Sequence, residues 1–312
     1  MVYINLFLDW DGTLTKHDTI LPLSRIGYQI NEAKGIATRP WDEIVEAYLD
    51  DLKAHAEAYQ PARESRTTIG AESKYLASVK PIEWASTDRI VEAGVFANVT
   101  SMGEEVKEAL RTGEVEMRPG WERLFSFNPK DSSMVNTAII TVNWSANFIK
   151  DCMFYASTGD LFVVTLKMLP IYGNEINSLV GKFNNPRVGD LSSDRLIQTS
   201  ADKLEALRSA IEVGKAQASK AKQEYMSIYV GDTATDFDCL LEADVGVCIQ
   251  DVPLRGGQQE LASTFARVGV DVLPLSEARN LASGHESKRK TVYSVNNLAE
   301  LANFIEQELR EQ

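Results

Sequence analysis

The chain has 312 residues, of which 44% are hydrophobic and 25% charged, a composition typical of globular proteins with a buried core. Its formal net charge of −13 disfavours nucleic acid or an anionic membrane as a partner, because both bind basic surfaces. Three cysteines are too few for a disulfide framework, no apolar run is long enough to cross a bilayer, and the first residues resemble a strand rather than a signal peptide. We therefore expect a cytoplasmic protein that binds neither nucleic acid nor membranes.

The first predicted element is a buried strand over residues 3–8, which ends in the sequence D-W-D-G-T at 9–13. Gly12 allows the chain to turn there, so that Asp9 and Asp11 can reach one centre. An acidic turn is the alternative interpretation, since Asp-Gly is a common turn dipeptide. The position of the string directly after a hydrophobic strand favours a functional pair of carboxylates.

A helical segment is predicted next, because residues 17–116 have little strand character and apolar residues recur in them at helical spacing. Residues 101–104 have the spacing of a capping box, and Gly113 ends the helix that follows. Pro119 then begins the first helix of the core. The predicted helices of the segment lie at 41–59, at 81–91 and between the capping box and Gly113.

A second buried strand is predicted over residues 137–140, and it ends at Thr141, a hydroxyl residue at the same predicted sheet edge as Asp9. Ser145 is the competing hydroxyl a few residues on, and a β-branched residue in a strand is common without any function. We favour Thr141 because it directly ends the apolar run.

Farther along the chain, Lys203 lies in the first turn of a predicted helix, after Ser200 as its cap. A cation there faces the positive end of the helix dipole, which costs roughly 0.3–1 kcal/mol of free energy. A bound phosphate would make the lysine charge favourable instead. The alternative is an ordinary solvated lysine. The position favours a phosphate-binding lysine, which a negatively charged protein needs for an anionic substrate.

A third buried strand over residues 227–230 precedes Asp232, and Asp236 follows one helical turn later. The alternative is that one aspartate caps a helix and the other lies on the surface. If both lie beside the first strand's two carboxylates, each like-charged pair at 4 Å costs about 4 kcal/mol at an effective dielectric constant near 20. Such a cluster needs a cation, and oxygen ligands without His or Cys favour Mg²⁺. The predicted Mg²⁺ ligands are Asp9, Asp11, Asp232 and Asp236.

The three predicted strands each precede a helical pattern, as in a parallel sheet with helices on both faces. The carboxyl ends of parallel strands share one edge of the sheet, and ligands bind there. The sequence therefore predicts an α/β fold, a Rossmann-like, doubly wound parallel sheet with a helical cap inserted after the first strand. We place the core at 1–16 and 117–312 and the cap at 17–116.

These motifs resemble those of the haloacid dehalogenase superfamily, and they occur in the same order. The family's first motif is D-x-D-G-T, its fourth is G-D-x-x-x-D, and a Ser or Thr and a Lys lie between them. The resemblance implies a Mg²⁺-dependent phosphatase in which Asp9 forms an aspartyl-phosphate and Asp11 is the acid and base. It also implies that Thr141 and Lys203 bind the phosphate. The family's dehalogenases lack the second aspartate and need no metal, so Asp11 favours phosphoryl chemistry.

The core is similar to phosphoserine phosphatases, in which an acidic residue nine positions after the nucleophile contacts the substrate's ammonium. Asp18 holds that position here, and the alternative is that it caps the helix beginning at Thr19. In the loop after the second strand, we expect Asn143 and Trp144 to contact the substrate. The alternative for Trp144 is a core aromatic residue.

A further resemblance is to the phosphatase half of plant enzymes that hydrolyse thiamine monophosphate, and it includes residues 90–95 and 239–244. Gly12 departs from those enzymes, which have another residue there. Thiamine is a cationic aromatic compound that would suit Asp18 and an aromatic face. We expect a small-molecule phosphate ester as substrate, with thiamine monophosphate the first candidate and phosphoserine the second. A phosphomutase of the same fold and an inactive binding protein are the alternatives.

Overall fold

The structure is a computed structural model, and its strands form one large sheet and one small hairpin. It describes residues 2–127, 134–158, 166–177, 182–184, 196–278 and 290–310. The described strands are β1 (Val2–Leu8), β2 (Met134–Ile140), β3 (Ile171–Tyr172), β4 (Glu175–Asn177), β5 (Lys182–Asn184), β6 (Glu224–Gly231), β7 (Val245–Ile249), β8 (Asp271–Pro274) and β9 (Thr291–Val295).

Helices separate and follow these strands in the chain order expected for an α/β protein. The main helices are α1 (Ile20–Ala33), α2 (Trp41–Ala58), α3 (Ile69–Ser78), α4 (Lys80–Glu92), α5 (Gly103–Thr112), α6 (Ala146–Ala156), α7 (Ser200–Ala221), α8 (Phe237–Glu242), α9 (Gly256–Val268) and α10 (Leu298–Arg310).

The large sheet has seven parallel strands in the order β3-β2-β1-β6-β7-β9-β8. The three strands predicted from the sequence are β1, β2 and β6, and they lie side by side with β1 in the middle. Leu8 pairs with Ile139 on one side and with Val230 on the other. The segments that follow these three strands therefore meet at one edge, and the predicted parallel α/β fold is confirmed.

Hydrophobic side chains cover both faces of the sheet. Leu6 and Leu8 belong to one buried cluster, which includes residues of α6 and α10, whereas Phe7 belongs to a second cluster with residues of α7 and α9. This alternation follows from the period of two along a strand. With helices on both faces, β1 is buried along its whole length, and its carboxyl end is held rigidly.

The helices α1 to α5 lie between β1 and β2 in the chain. Thr15 and Met117 form an isolated antiparallel bridge, and the amide of Lys16 donates to the carbonyl of Glu116 at 2.8 Å. The chain thus enters and leaves the helical segment side by side. The division into a core and a cap at residues 16 and 117 stays a prediction.

Several local predictions are wrong. Helix α5 begins at Gly103 after Met102 and makes no side-chain cap hydrogen bond, so residues 101–104 form no capping box, although the helix does end at Gly113. Residues Trp121–Phe125 form a 3-10 turn where a core helix was predicted. Helix α7 is capped by Thr199 in place of Ser200. Across the residues that the structure describes, no helix is long and apolar enough for a membrane span.

Candidate active site

The turn after β1 brings the D-W-D-G-T residues against the end of β6. Gly12 has a φ of +73°, and a Cβ added there would lie 2.2 Å from Oδ2 of Asp232. Only glycine accommodates both this backbone conformation and this close approach. Gly12 therefore allows Asp9 and Asp232, both buried, to share one site.

Lys203 lies between two carboxylates at the start of α7. Its Nζ donates to Oδ1 of Asp9 at 2.6 Å and to Oδ1 of Asp236 at 2.8 Å, and the side chain has no exposed surface. Burial lowers the pKa of Lys203, but the negative charges of Asp236 and Asp9 outweigh this effect and raise it, so the ammonium stays charged. A buried cation of this kind is not the solvated lysine of the alternative interpretation.

Asp236 holds the turn after β6 together. Its Oδ2 accepts from the amides of Asp232 and Thr233, and its Oδ1 accepts from the Tyr229 hydroxyl at 2.7 Å as well as from Lys203. A Cβ at Gly231 would lie 2.3 Å from the Asp236 carboxyl carbon, so glycine is needed for this contact. Asp236 thus orients Lys203 and the backbone around Asp232.

Three of the four predicted metal ligands form a cluster. Oxygen atoms of Asp9, Asp232 and Asp236 all lie within 4.8 Å of one another. Burial, with repulsion from Asp236, raises the pKa of Asp232 to about 8 and raises that of Asp9 well above its ordinary value. Three buried carboxylates beside one lysine carry excess negative charge, and a divalent cation with a preference for oxygen ligands fits this donor set.

The carboxylate of Asp11 does not lie in this cluster. Its Oδ1 accepts from the amide and the hydroxyl of Thr19 at 2.7 and 2.6 Å, and its Oδ2 accepts from Nδ2 of Asn143 at 2.9 Å. Burial, with repulsion from Asp18, raises the pKa of Asp11 to about 7. This value suits an acid and base at neutral pH, and the geometry gives no support to Asp11 as a side-chain metal ligand.

The two candidate phosphate hydroxyls are both engaged in the loop after β2. Oγ1 of Thr141 accepts from the amide of Asn143 at 3.0 Å, and the side chain is fully buried. Oγ of Ser145 caps α6 by accepting from the amide of Phe148, and it donates to Glu175 at 2.8 Å. Ser145 therefore has a structural role, and the phosphate contact of Thr141 stays a prediction.

Two positioning residues were missed by the sequence reasoning. The Thr19 hydroxyl contacts Asp11, Asn143 and the indole nitrogen of Trp10. The guanidinium of Arg118 donates to the carbonyl of Gly12 at 3.0 and 2.8 Å, and it also pairs with Asp251. The only signal for Arg118 in the sequence is its position directly before the Pro-Gly pair at 119–120.

A cavity of about 670 Å³ lies between the carboxyl edge of the sheet and the helices α1, α2 and α4. Asp9, Asp11 and Asp232 line the cavity, whereas Lys203 and Thr141 are not among its lining residues. The other lining residues that concern us are Asp18, Trp41, Ile44, Tyr48, Leu49, Glu83, Ile90, Trp144 and Arg255.

The three residues predicted to contact the substrate differ in whether they line the cavity. Asp18 lines the cavity and also accepts from the amide of Ile20 at 2.7 Å, so both interpretations of this residue agree with the structure. Trp144 lines the cavity while it contacts Trp41 edge-to-face at a centroid distance of 6.4 Å. Asn143 is fully buried and contacts Asp11, which makes it a positioning residue in this structure.

Comparisons with known proteins give distant matches, and no protein-family model matches the chain. A CTO1 family protein of Schizosaccharomyces pombe is 23% identical over 253 residues, or 80% of this chain and 82% of that protein. The "Bifunctional TH2 protein, mitochondrial" of Arabidopsis thaliana is 21% identical over 96% of this chain, which spans about half (48%) of that relative.

Among solved structures, a phospho-aspartyl intermediate analogue of phosphoserine phosphatase is 12% identical over 97% of this chain and 99% of its own, with a TM-score of 0.45. Likenesses this distant leave the function to be inferred from the site itself.

Proposed function

We propose that the chain is a Mg²⁺-dependent phosphomonoesterase that acts through an aspartyl-phosphate on a small phosphorylated metabolite. The observation that carries this proposal is the buried contact of 2.6 Å between Asp9 and Lys203 at the end of a cavity, with Asp232 beside them. A buried carboxylate that faces a cavity, next to a fixed cation and further carboxylates, is suited to attack on phosphorus.

In the first step, an oxygen of Asp9 attacks phosphorus, and the bond from phosphorus to the ester oxygen breaks. Oδ1 of Asp9 accepts from Lys203, and across the described residues no hydrogen bond reaches Oδ2, which is therefore the free nucleophile. Lys203 lowers the pKa of Asp9 against the opposing effects of burial and Asp236, and it supplies positive charge to the phosphoryl group as charge shifts onto its oxygens.

Asp11 moves the protons in both steps. Its carboxyl, with a pKa of about 7, gives a proton to the leaving alcohol and then takes one from the water that hydrolyses the aspartyl-phosphate. Thr19 and Asn143 fix the orientation of this group with hydrogen bonds to both of its oxygens. The products are the alcohol and inorganic phosphate.

Asp9 and Asp232 would hold the Mg²⁺, with Asp236 beside them. When bound, the ion neutralises phosphate oxygens and balances the excess negative charge of the carboxylates. Residues of this chain then supply the nucleophile, the proton transfers and the exclusion of water.

Among substrates, thiamine monophosphate is our first candidate and phosphoserine the second. A cavity of about 670 Å³ lies in the range that holds drug-sized ligands, which exceeds the needs of a three-carbon phosphate ester. Asp18 and Trp144 on its wall would suit a cationic aromatic group. The similarity to plant thiamine monophosphate phosphatases supports the same choice.

The first experiment measures release of inorganic phosphate from para-nitrophenyl phosphate. We expect Mg²⁺-dependent turnover, and we expect Asp9→Asn to lower kcat by about three orders of magnitude or more, because the amide is nearly isosteric but not nucleophilic. Asp50→Asn, an exposed change on α2, is the matched control and should keep full activity. Turnover by Asp9→Asn near the wild-type rate would place the nucleophile elsewhere, and transfer without phosphate release would indicate a phosphomutase.

A further inference from the structure

The cavity wall formed by α2 and α4 carries a carboxylate without a cationic partner. The hydroxyl of Tyr48 donates to Oε1 of Glu83 at 2.8 Å, and both residues line the cavity. Within the described part of the chain, no Lys or Arg forms an ion pair with Glu83. Lys80, one turn earlier on α4, pairs with Asp202 instead.

Glu83 is poorly solvated for a carboxylate. Burial raises its pKa, while the hydrogen bond from Tyr48 lowers it only in part. A carboxylate has about four acceptor positions, and one hydrogen bond leaves most of them unfilled. Placing such a group in a partly dry wall costs free energy unless a cation or further donors meet it.

The proposed catalytic carboxylates and the Tyr48–Glu83 pair belong to different walls of the cavity. Asp9, Asp11 and Asp232 follow strands at the edge of the sheet, whereas Tyr48 and Glu83 lie on the helices α2 and α4. A ligand that contacts both groups must therefore span the cavity from the sheet edge to these helices.

Much of the remaining lining of the cavity is apolar. Trp41 and Trp144, which contact each other, line it together with Ile44, Leu49 and Ile90. Of the cationic side chains on the cavity wall, Lys16 pairs with Glu116 and Arg255 with Asp251, which leaves neither to neutralise Glu83.

We propose that Glu83, oriented by Tyr48, determines specificity by binding a cationic nitrogen at the end of the substrate remote from its phosphate. The substrate class is then a phosphate monoester of an organic cation with an apolar or aromatic middle. This inference rests on the proposed phosphatase function, because that function places the phosphate at Asp9.

The test compares two probes that differ in the remote charge, 4-(aminomethyl)benzyl phosphate and 4-methylbenzyl phosphate. We expect wild-type kcat/KM for the charged ester to exceed that for the neutral ester by about tenfold or more, as for a charge-assisted hydrogen bond. Glu83→Gln should reduce this ratio to nearly one. Glu92→Gln makes the same chemical change at an exposed position of α4 and should keep the ratio.

The inference is overturned if the wild type has equal kcat/KM values for the two probes, or if Glu83→Gln leaves the ratio undiminished. In either case, turnover of para-nitrophenyl phosphate would leave the phosphatase proposal standing. Absence of turnover for every ester would instead contradict the phosphatase proposal. Calorimetric titration of Asp9→Asn with both probes measures the preference as an affinity without turnover. The charged probe should bind about tenfold more tightly, and loss of that difference on adding Glu83→Gln separates recognition from chemistry.

Discussion

Asp11 differs from the other carboxylates of the site in its hydrogen-bond partners. Its oxygens accept from Thr19 and Asn143, which are neutral donors, whereas Asp9 and Asp236 both face Lys203. A neighbouring cation favours the ionised form of a carboxylate, whereas Asp11 has neutral donors, and burial raises its pKa to about 7. The proposed nucleophile and the proposed acid thus have different partners within one short motif.

We predict that Asp11→Asn lowers kcat far more for an alkyl phosphate than for an aryl phosphate. An alkoxide is a poor leaving group and needs the proton of Asp11, whereas para-nitrophenolate leaves without one, and positioned proton transfer contributes about 10²–10⁴-fold. Steady-state kinetics with para-nitrophenyl phosphate and phosphoserine, or thiamine monophosphate where it is turned over, checks this prediction. Equal losses for both esters would show that Asp11 does not protonate the leaving group.

The principal site residues could be predicted from the sequence because they occur in short motifs at strand ends. The sequence could not show that Asp11 faces Thr19 and Asn143 instead of the metal cluster, since that depends on how the chain enters α1. For the same reason Asn143 was expected at the substrate but lies behind Asp11.

A second set of contacts joins the helical segment to the core, away from the bridge at residues 15 and 117. Glu72 pairs with Arg66 at 2.8 Å and with Arg267 of α9 at 2.6 Å, and all three side chains are largely buried. The guanidinium of Arg66 lies 3.8 Å from the ring centre of Tyr75. This cluster therefore ties the segment to the core at a place away from residues 15 and 117.

We predict that Glu72→Gln lowers the free energy of unfolding by about 3–5 kcal/mol, because it leaves two buried guanidinium groups without their carboxylate. Urea unfolding followed by circular dichroism measures this change. Glu57→Gln, at an exposed position of α2, is the matched control and should change stability by no more than about 0.5 kcal/mol. A loss below about 1 kcal/mol for Glu72→Gln would mean that the cluster does not fasten the segment.

The helices predicted at 41–59 and 81–91 agree closely with α2 and α4, and α5 ends at Gly113 as predicted, but the start of α5 was predicted wrongly. The S-x-x-E spacing at residues 101–104 fits a capping box, yet α5 begins at Gly103. A Cβ at Gly103 would lie 2.9 Å from the Tyr155 hydroxyl of α6, so the two helices pack closely at this point. A tertiary contact of this kind is not visible in the local pattern.

At the scale of the whole molecule, a formal net charge of −13 coexists with the proposed site for an anionic substrate. The three strands whose ends build the site were predictable, because each is a short apolar run before a polar residue. The cavity was not, since helices distant in the chain form its walls with the sheet edge. The local positive charge comes from Lys203 and from the proposed metal ion.

We predict that Mg²⁺ raises the Tm of the protein, and that this rise grows between pH 6 and pH 8. Burial raises the pKa of Asp232 to about 8, far above its unfolded value of 3.8, so the metal-free folded state holds a proton that the unfolded state has lost. The stability from this proton is complete below about pH 4 and is lost as pH rises towards 8. Mg²⁺ competes with that proton, so its stabilisation is largest where the proton has left.

Differential scanning fluorimetry at pH 6, 7 and 8, with chelator or with excess Mg²⁺, measures this effect. Because any cation screens a molecule of charge −13, Na⁺ at matched ionic strength is the necessary control. Asp232→Asn removes both the titrating group and a ligand, so it should raise the Tm of the metal-free protein at pH 8 and abolish most of the Mg²⁺ response. The prediction is contradicted if Na⁺ reproduces the rise in Tm, or if the rise stays constant from pH 6 to pH 8. The stabilisation would then not come from a Mg²⁺ ion bound at this carboxylate cluster.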